Sequence, residues 1–257
     1  MNSNDMQSLA RLLKESRHLA ILTGAGISAE SGLPTFRDPL TGLWANFRPE
    51  DLATPEAFQR DPEFVWQWYI DRRKMANQVK PNPGHYMIAW LAERVPKLTL
   101  ITQNVDGLHQ AAGSPKVIEL HGNIHRSKCF GYGHPIEVEL VDENSIKPPE
   151  CPECGSLARP DVVWFGEILP ERELTEAISA ACSADLFLVI GTSGVVNPAA
   201  SLSLTARNHG ATVAVINPDP GAAIRGSLFL KGSSGKILPE LAAETWGIDP
   251  SFFLKPE

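Results

Sequence analysis

The sequence predicts an α/β protein whose core is a mostly parallel, doubly wound sheet, with a smaller second module set against it. Three observations carry this. Short apolar runs recur along the chain, each closing on polar turn residues: His18 to Thr23 before GAGISAESG, Leu98 to Ile101 before TQNVDG, Leu186 to Ile190 before GTSG, and Val213 to Ile216 before NPDPG. Helical patterns lie between them, at His85 to Arg94 and Asn197 to Asn208, and strands alternating with helices at this spacing build parallel sheets. Two stretches, 38–80 and 122–165, break the alternation: one is aromatic-rich with helical spacing, the other holds cysteines, prolines and many polar residues. They are read as two insertions that form the smaller module.

Element by element, Met6, Leu9, Leu12 and Leu13 mark a first helix that ends near Ser16. The first strand follows, and Gly24-Ala25-Gly26 turns off it into an expected helix start. PEFVWQWYIDRRKM at 62–75 reads as a helix within the first insertion. The run VIEL at 117–120 reads as a strand with His121 just past its carboxyl end.

A chain of 257 residues removes roughly three-quarters of its extended surface on folding, so a sizeable core is available. Hydrophobic residues at 43% and charged residues at 21% exclude wholesale disorder. A net charge of −7 speaks against a broad phosphate-binding face, so no nucleic-acid partner is expected. No apolar run in the chain approaches the roughly 20 residues that cross a bilayer, so no membrane role is expected either. The first residues carry acids and bases and lack an apolar leader segment, which predicts a cytoplasmic address. Four cysteines are too few for a disulfide scaffold, and the pair Cys151-x-x-Cys154 reads first as metal-binding or redox.

Ligands of doubly wound sheets sit at the carboxyl ends of the strands, so the loops after the apolar runs hold the candidate site. Gly24-Ala25-Gly26 suits a pyrophosphate as well as it suits an ordinary turn. The third glycine of the usual dinucleotide fingerprint is missing, with Ala29 and Glu30 in its place, so a conventional dehydrogenase is not expected. Asn104 and Asp106, two apart in a loop, face one pocket or simply make a turn. His121 offers a proton acceptor near neutral pH, although a lone histidine there is also a good cap. Tyr69 and Arg72, three apart on a helix, share a face on which a phenol and a guanidinium can converge on a carboxylate; Arg72 within DRRK reads equally as a solvated charge. Cys182, in AACSADLF, reads as a buried core cysteine.

Taken in order, GAGISAESGLPTFRD at 24–38, TQNVDGLH at 102–109, ELHGN at 119–123, CPECG at 151–155, VVWFGE at 162–167, GTSGVVNPA at 191–199 and INPDP at 216–220 resemble the signature blocks of the sirtuin family, the NAD-dependent protein-lysine deacylases, over residues 18 to 220. The resemblance implies a Rossmann-like NAD-binding domain made of 1–37, 81–121 and 166–257, a helical insertion at 38–80 and a zinc-ribbon-like insertion at 122–165. It implies NAD held in the opposite sense to classical dehydrogenases, which accounts for the imperfect fingerprint. It assigns His121 as general base, Asn104 to the nicotinamide ribose and its ordered water, Asp106 to the carboxamide and Gln103 to the ribose. Gly24, Ala25, Gly26, Gly191, Thr192, Ser193 and Asn217 fall to the phosphates and adenosine ribose, and Arg37 to the loop that covers the cofactor. Val163 and Phe165 would line the tunnel for the acylated lysine of a protein substrate, with core packing the other reading of VVWF. The scheme it implies expels nicotinamide, and the acyl group leaves on ADP-ribose.

The family resemblance also implies a structural zinc on two Cys-x-x-Cys pairs, and here the sequence departs from it: Cys151 and Cys154 are complete, but Cys129 is followed three residues on by Tyr132. His134 offers a fourth ligand; a weakened or empty site is the alternative. Tyr69-x-x-Arg72 with DLATPEAF at 51–58 resembles the desuccinylase and demalonylase subgroup, in which Ala53 would leave room for the acyl chain. The rival readings are mono-ADP-ribosyl transfer, which shares the NAD cleavage, and a non-catalytic sensor of NAD or ADP-ribose.

Overall fold

The computed structural model describes residues 3–34, 48–137, 141–142 and 145–254. Six parallel strands form the main sheet in the order β3-β2-β1-β7-β8-β9, with β1 at Leu19–Thr23, β2 at Leu98–Thr102, β3 at Val117–Glu119, β7 at Leu186–Ile190, β8 at Thr212–Asn217 and β9 at Leu228–Lys231. The chain runs from β1 outward to β2 and β3, then returns to the other side of β1 at β7. This places the reversal of strand order between β1 and β7, where their carboxyl ends stand side by side at Thr23 and Ile190.

Side chains alternate between the faces of each strand. Leu19 and Ile21, with Leu100, Leu188 and Ile216, pack against the helices Ser3–Glu15, Pro83–Leu91 and Ser234–Trp246. Ala20 and Leu22, with Ile101, Phe187, Val189 and Val213, pack on the other face against the helices Glu171–Ser183 and Leu202–Asn208. A strand covered on both faces is written mainly in apolar residues, which is why these segments appear as near-continuous apolar runs in the sequence, with the half-buried Thr99 interrupting the one in β2.

The expected strands at 18–23, 98–101, 186–190 and 213–216 are present to within a residue or two. Strand β9 was not expected, because the run LFL is short and flanked by polar residues. The helix expected after Gly26 is absent. Two single 3-10 turns, Ala25–Ile27 and Ala29–Ser31, stand there instead, and Gly32 at φ 97° ends the second in the left-handed region. Cys182 is half-buried rather than core, since it sits on the flank of its helix between the buried Ala181 and the exposed Ser183.

A second, antiparallel sheet has the order β5-β4-β6, with β4 at Gly122–Cys129, β5 at Pro135–Ile136 and β6 at Ala158–Val162. The helices Pro55–Arg60 and Pro62–Gln78 pack on it, each begun by a capping side chain, Thr54 accepting from Ala57 N and Asp61 from Phe64 N. Phe58, Val65 and Tyr69 from these helices share a core with Ile124, Val162 and Trp164. The buried Arg73 guanidinium donates to Ile124 O at 2.8 Å and to Ser127 Oγ at 3.0 Å, which ties the long helix to β4. No helix among the described residues is long and apolar enough to cross a membrane.

Candidate functional site

The loops after β1, β2, β3 and β7 meet above the reversal of strand order. Gly24 N donates to Ile190 O at 3.0 Å and Gly26 N to Gly191 O at 2.7 Å, so the β1 loop lies directly on the β7 loop. A Cβ on Gly26 would come within 2.7 Å of Gly191 O, and one on Gly24 within 2.7 Å of Thr192 Cβ. The two glycines therefore serve loop-on-loop contact first. Of residues 24–26, Ala25 alone keeps a backbone N–H without an acceptor among the described residues, so the loop offers an anion fewer amides than the sequence led one to expect.

Thr192 is a junction: its hydroxyl accepts from Gln103 Nε2 at 3.1 Å and its carbonyl from Asn217 Nδ2 at 3.0 Å, which draws the ends of β2, β7 and β8 together. Asn104 is buried and donates through Nδ2 to Gly24 O and to Ser28 Oγ, both at 3.2 Å. Ser28 Oγ in turn donates to Asp106 Oδ2 at 2.7 Å, and Leu108 N donates to Asp106 Oδ1 at 3.0 Å. Burial pushes the Asp106 carboxyl up, against these two bonds, which favour its ionised form. Ser28 thus joins Asn104 to Asp106, and sequence reasoning missed it. The available signal was its place four residues after Gly24 in the loop of a buried strand.

Beneath this cluster, His85 Nε2 lies 3.5 Å from Ser28 Oγ, and the His85 ring meets that of His109 edge-on at 4.9 Å. Burial lowers both imidazoles, His85 to about 4 and His109 well below its usual value, so both are neutral.

His121 follows β3 and directs Nδ1 at Gln103 O, 2.9 Å away. Its own carbonyl accepts from Val163 N at 2.9 Å, and Phe165 N donates to Ala53 O at 2.8 Å, so the segment Val163 to Phe165 runs from the histidine to the helical insertion. Val163 is half-buried and Phe165 is 51% exposed, placing Phe165 at a surface rather than in a core. Ser193 is exposed. Arg37 lies outside the described residues.

On the Pro62–Gln78 helix, Tyr69 is buried and accepts from Trp164 Nε1 at 3.0 Å. The Arg72 guanidinium lies 5.8 Å from the Trp68 ring centroid and 3.9 Å from Met75 Sδ, and it meets no carboxylate among the described residues. Its charge acts on the Tyr69 phenol, which burial pushes up to about 12.

Cys129, His134, Cys151 and Cys154 bring their ligand atoms within 4.8 Å of one another. Cys154 Sγ and Cys129 Sγ are 3.7 Å apart, close to the about 3.8 Å that a tetrahedral zinc with 2.3 Å bonds to sulfur requires. His134 stands where the missing thiolate would be, while Tyr132 is 79% exposed and stacks on the His134 ring. Three thiols and an imidazole are a donor set that fits structural zinc.

The family described as Sir2 family matches residues 24–198. The chain is 49% identical over 243 residues to NAD-dependent protein deacylase 1 of Pseudomonas aeruginosa, covering 92% of this chain and 97% of that protein. It is 54% identical over 218 residues to NAD-dependent protein deacylase 1 of Caldanaerobacter subterraneus, covering 84% and 88%. Among solved structures, a Sir2 homologue in complex with NAD is similar with a TM-score of 0.83 at 43% identity, covering 93% of each chain. A Sir2 protein bound to a myristoylated histone peptide has a TM-score of 0.75 at 37% identity, covering 94% of this chain and 96% of that one. The chain, a doubly wound sheet with converging loops at its switch point and a Cys/His cluster among its described residues, belongs to the Sir2 family, the sirtuins, and is by that family an NAD-dependent deacylase.

Proposed function

We propose that this sirtuin, an NAD-dependent protein deacylase by family, removes succinyl and malonyl groups from protein lysine in preference to acetyl, giving nicotinamide and O-acyl-ADP-ribose. The observation that carries the preference is Arg72: a guanidinium set one helical turn from a buried phenol, against Trp68 and Met75, with no carboxylate of its own among the described residues. A guanidinium so placed gains most from a ligand that brings the carboxylate, as succinyl and malonyl do and acetyl does not.

NAD, when bound, supplies the ribose carbon that the acyl oxygen attacks and the nicotinamide that leaves. In this reading the chain's residues hold that exchange in place. Asn104 and Asp106, joined through Ser28, orient the nicotinamide end; Gln103, Thr192 and Asn217 line the ribose and phosphate path, with Gly24, Ala25, Gly26, Gly191 and Ser193 around it. Arg37 keeps the role the family resemblance gives it. His121 takes up a proton at Nε2. Val163 and Phe165 wall the lysine stem, and Ala53 leaves space beside them. Cys129, His134, Cys151 and Cys154 hold zinc as a support for the smaller module rather than in the reaction, since four protein ligands leave no open position. The division into a sheet domain at 1–37, 81–121 and 166–257 and insertions at 38–80 and 122–165 belongs to the same reading. So does a cytoplasmic address, supported by four free cysteines, three of them grouped with His134.

The direct test is nicotinamide release with one peptide carrying acetyl-, malonyl- or succinyl-lysine in turn. A higher kcat/KM on the two acidic acyl groups is expected, and equal or lower values overturn the preference. Transfer of ADP-ribose to protein, read by mass, would favour the rival activity, and no nicotinamide release at all would favour a sensor.

A further inference from the structure

The hydroxyl of Tyr69 holds a proton that no described residue accepts. A phenol oxygen has one O–H and two lone pairs. Here the indole Nε1 of Trp164 donates to that oxygen at 3.0 Å, and among the described residues the Tyr69 hydroxyl donates to nothing. Tyr69 is 7% exposed and Trp164 2%, so an unspent donor at this depth is costly until a ligand accepts from it. Burial also keeps the phenol protonated across the working pH range.

Trp164 is itself held from several sides. Its backbone N donates to Glu167 Oε2 at 2.8 Å, and the same carboxylate accepts from Arg159 Nη2 at 3.0 Å. The Arg159 guanidinium carbon lies 3.2 Å from the centroid of the Trp164 ring, and Arg159 Nη2 also donates to Val162 O at 2.7 Å. Turning the indole away would forfeit its stacking on the Arg159 guanidinium, which the ion pair with Glu167 holds in place. The direction of its N–H is therefore set by the segment that also carries Val163 and Phe165.

We propose that Trp164 is a specificity-determining positioning residue: by occupying one lone pair of Tyr69 with its indole N–H, it leaves the phenol proton as the group presented to the acyl chain, which selects an acyl terminus that accepts a hydrogen bond over one that ends in a methyl. The proposal rests on the succinyl and malonyl reading above. It adds a residue on the strap facing the helix to the two on the helix, and it explains why Tyr69 acts as donor rather than acceptor.

The test is Trp164→Phe, which keeps an aromatic ring under Arg159 and removes the N–H. The ratio of kcat/KM on succinyl-lysine to that on acetyl-lysine is expected to fall about 3- to 10-fold, the range of one neutral hydrogen bond, mainly through KM. In a Tyr69→Phe background the same substitution should leave the ratio where Tyr69→Phe alone put it. An unchanged ratio in the single variant, or an equal shift with Tyr69→Phe present, overturns the proposal. Should Trp164→Phe fail to fold, benzothienylalanine at 164 keeps the bicyclic shape without the N–H and carries the same expectation. Arg72→Met, run alongside, separates the two levels. If it lowers the ratio while Trp164→Phe does not, this inference alone falls; if it leaves the ratio unchanged, the acyl preference falls and this inference with it.

Discussion

The Nδ1 atom of His121 lies 2.9 Å from the carbonyl oxygen of Gln103, and because a carbonyl only accepts, the ring proton sits on Nδ1 and the lone pair on Nε2. The β2 loop thus sets the tautomer that a base needs. Burial lowers the pKa of the imidazole, against the carbonyl bond that raises it. His121→Ala should lower kcat by about 10²- to 10⁴-fold, the usual worth of a positioned base, while calorimetry shows NAD affinity held. The acid limb of kcat/KM should fall below the ordinary histidine value of 6.5. Turnover within a few-fold of the parent removes the assignment.

Arg72→Met keeps length and apolar bulk while deleting the charge. Loss of a charge-assisted hydrogen bond of about 1.5–3 kcal/mol predicts a roughly 10- to 150-fold fall in desuccinylation relative to deacetylation, toward the lower end because Arg72 keeps part of its surface in water. Tyr69→Phe should move the ratio the same way by less. Parallel losses on both peptides would mark Arg72 as structural.

Purified protein should carry one zinc per chain, and Cys151→Ser should carry none and melt at lower temperature, because metal binding and folding of such modules are linked. Tyr132→Cys should leave the zinc content unchanged, since His134 already supplies the fourth donor. A second zinc, or no zinc in the parent protein, contradicts the ligand set.

Stability should fall as pH drops from 6.5 toward 4. His85 is held neutral to about 4 in the folded chain, whereas the unfolded chain takes up a proton near 6.5. Below 6.5 the unfolded state binds more protons, so unfolding becomes easier, by about 2 kcal/mol at pH 5 from this one residue. His109 adds in the same direction. Urea midpoints between pH 7 and 5 measure it, and a flat profile would mean that these rings are not buried neutral.

Gly26→Ala forces a Cβ to within 2.7 Å of the Gly191 carbonyl, so one loop must move off the other. A cost of about 1–3 kcal/mol in stability is expected, as for overpacking elsewhere, together with weaker NAD binding by titration. Unchanged NAD affinity would show that the loop contact does not shape the cofactor path.

The sequence by itself determined the parallel sheet, because strands buried on both faces are written as near-continuous apolar runs, and it determined which loops stand at the carboxyl ends. It also supplied Asn104, Asp106, His121, Cys151 and Cys154 as chemistry in search of partners. Only the tertiary structure decided the partners. Ser28 joins Asn104 to Asp106 across 76 and 78 residues, Gln103 fixes the tautomer of His121 from the loop after β2, and His134 completes the cysteine set from beyond an exposed tyrosine. Trp164 reaches Tyr69 across 95 residues. Local patterns record which face of an element is buried; hydrogen bonds between loops depend on how separate elements are brought together, and no local period in the sequence encodes them.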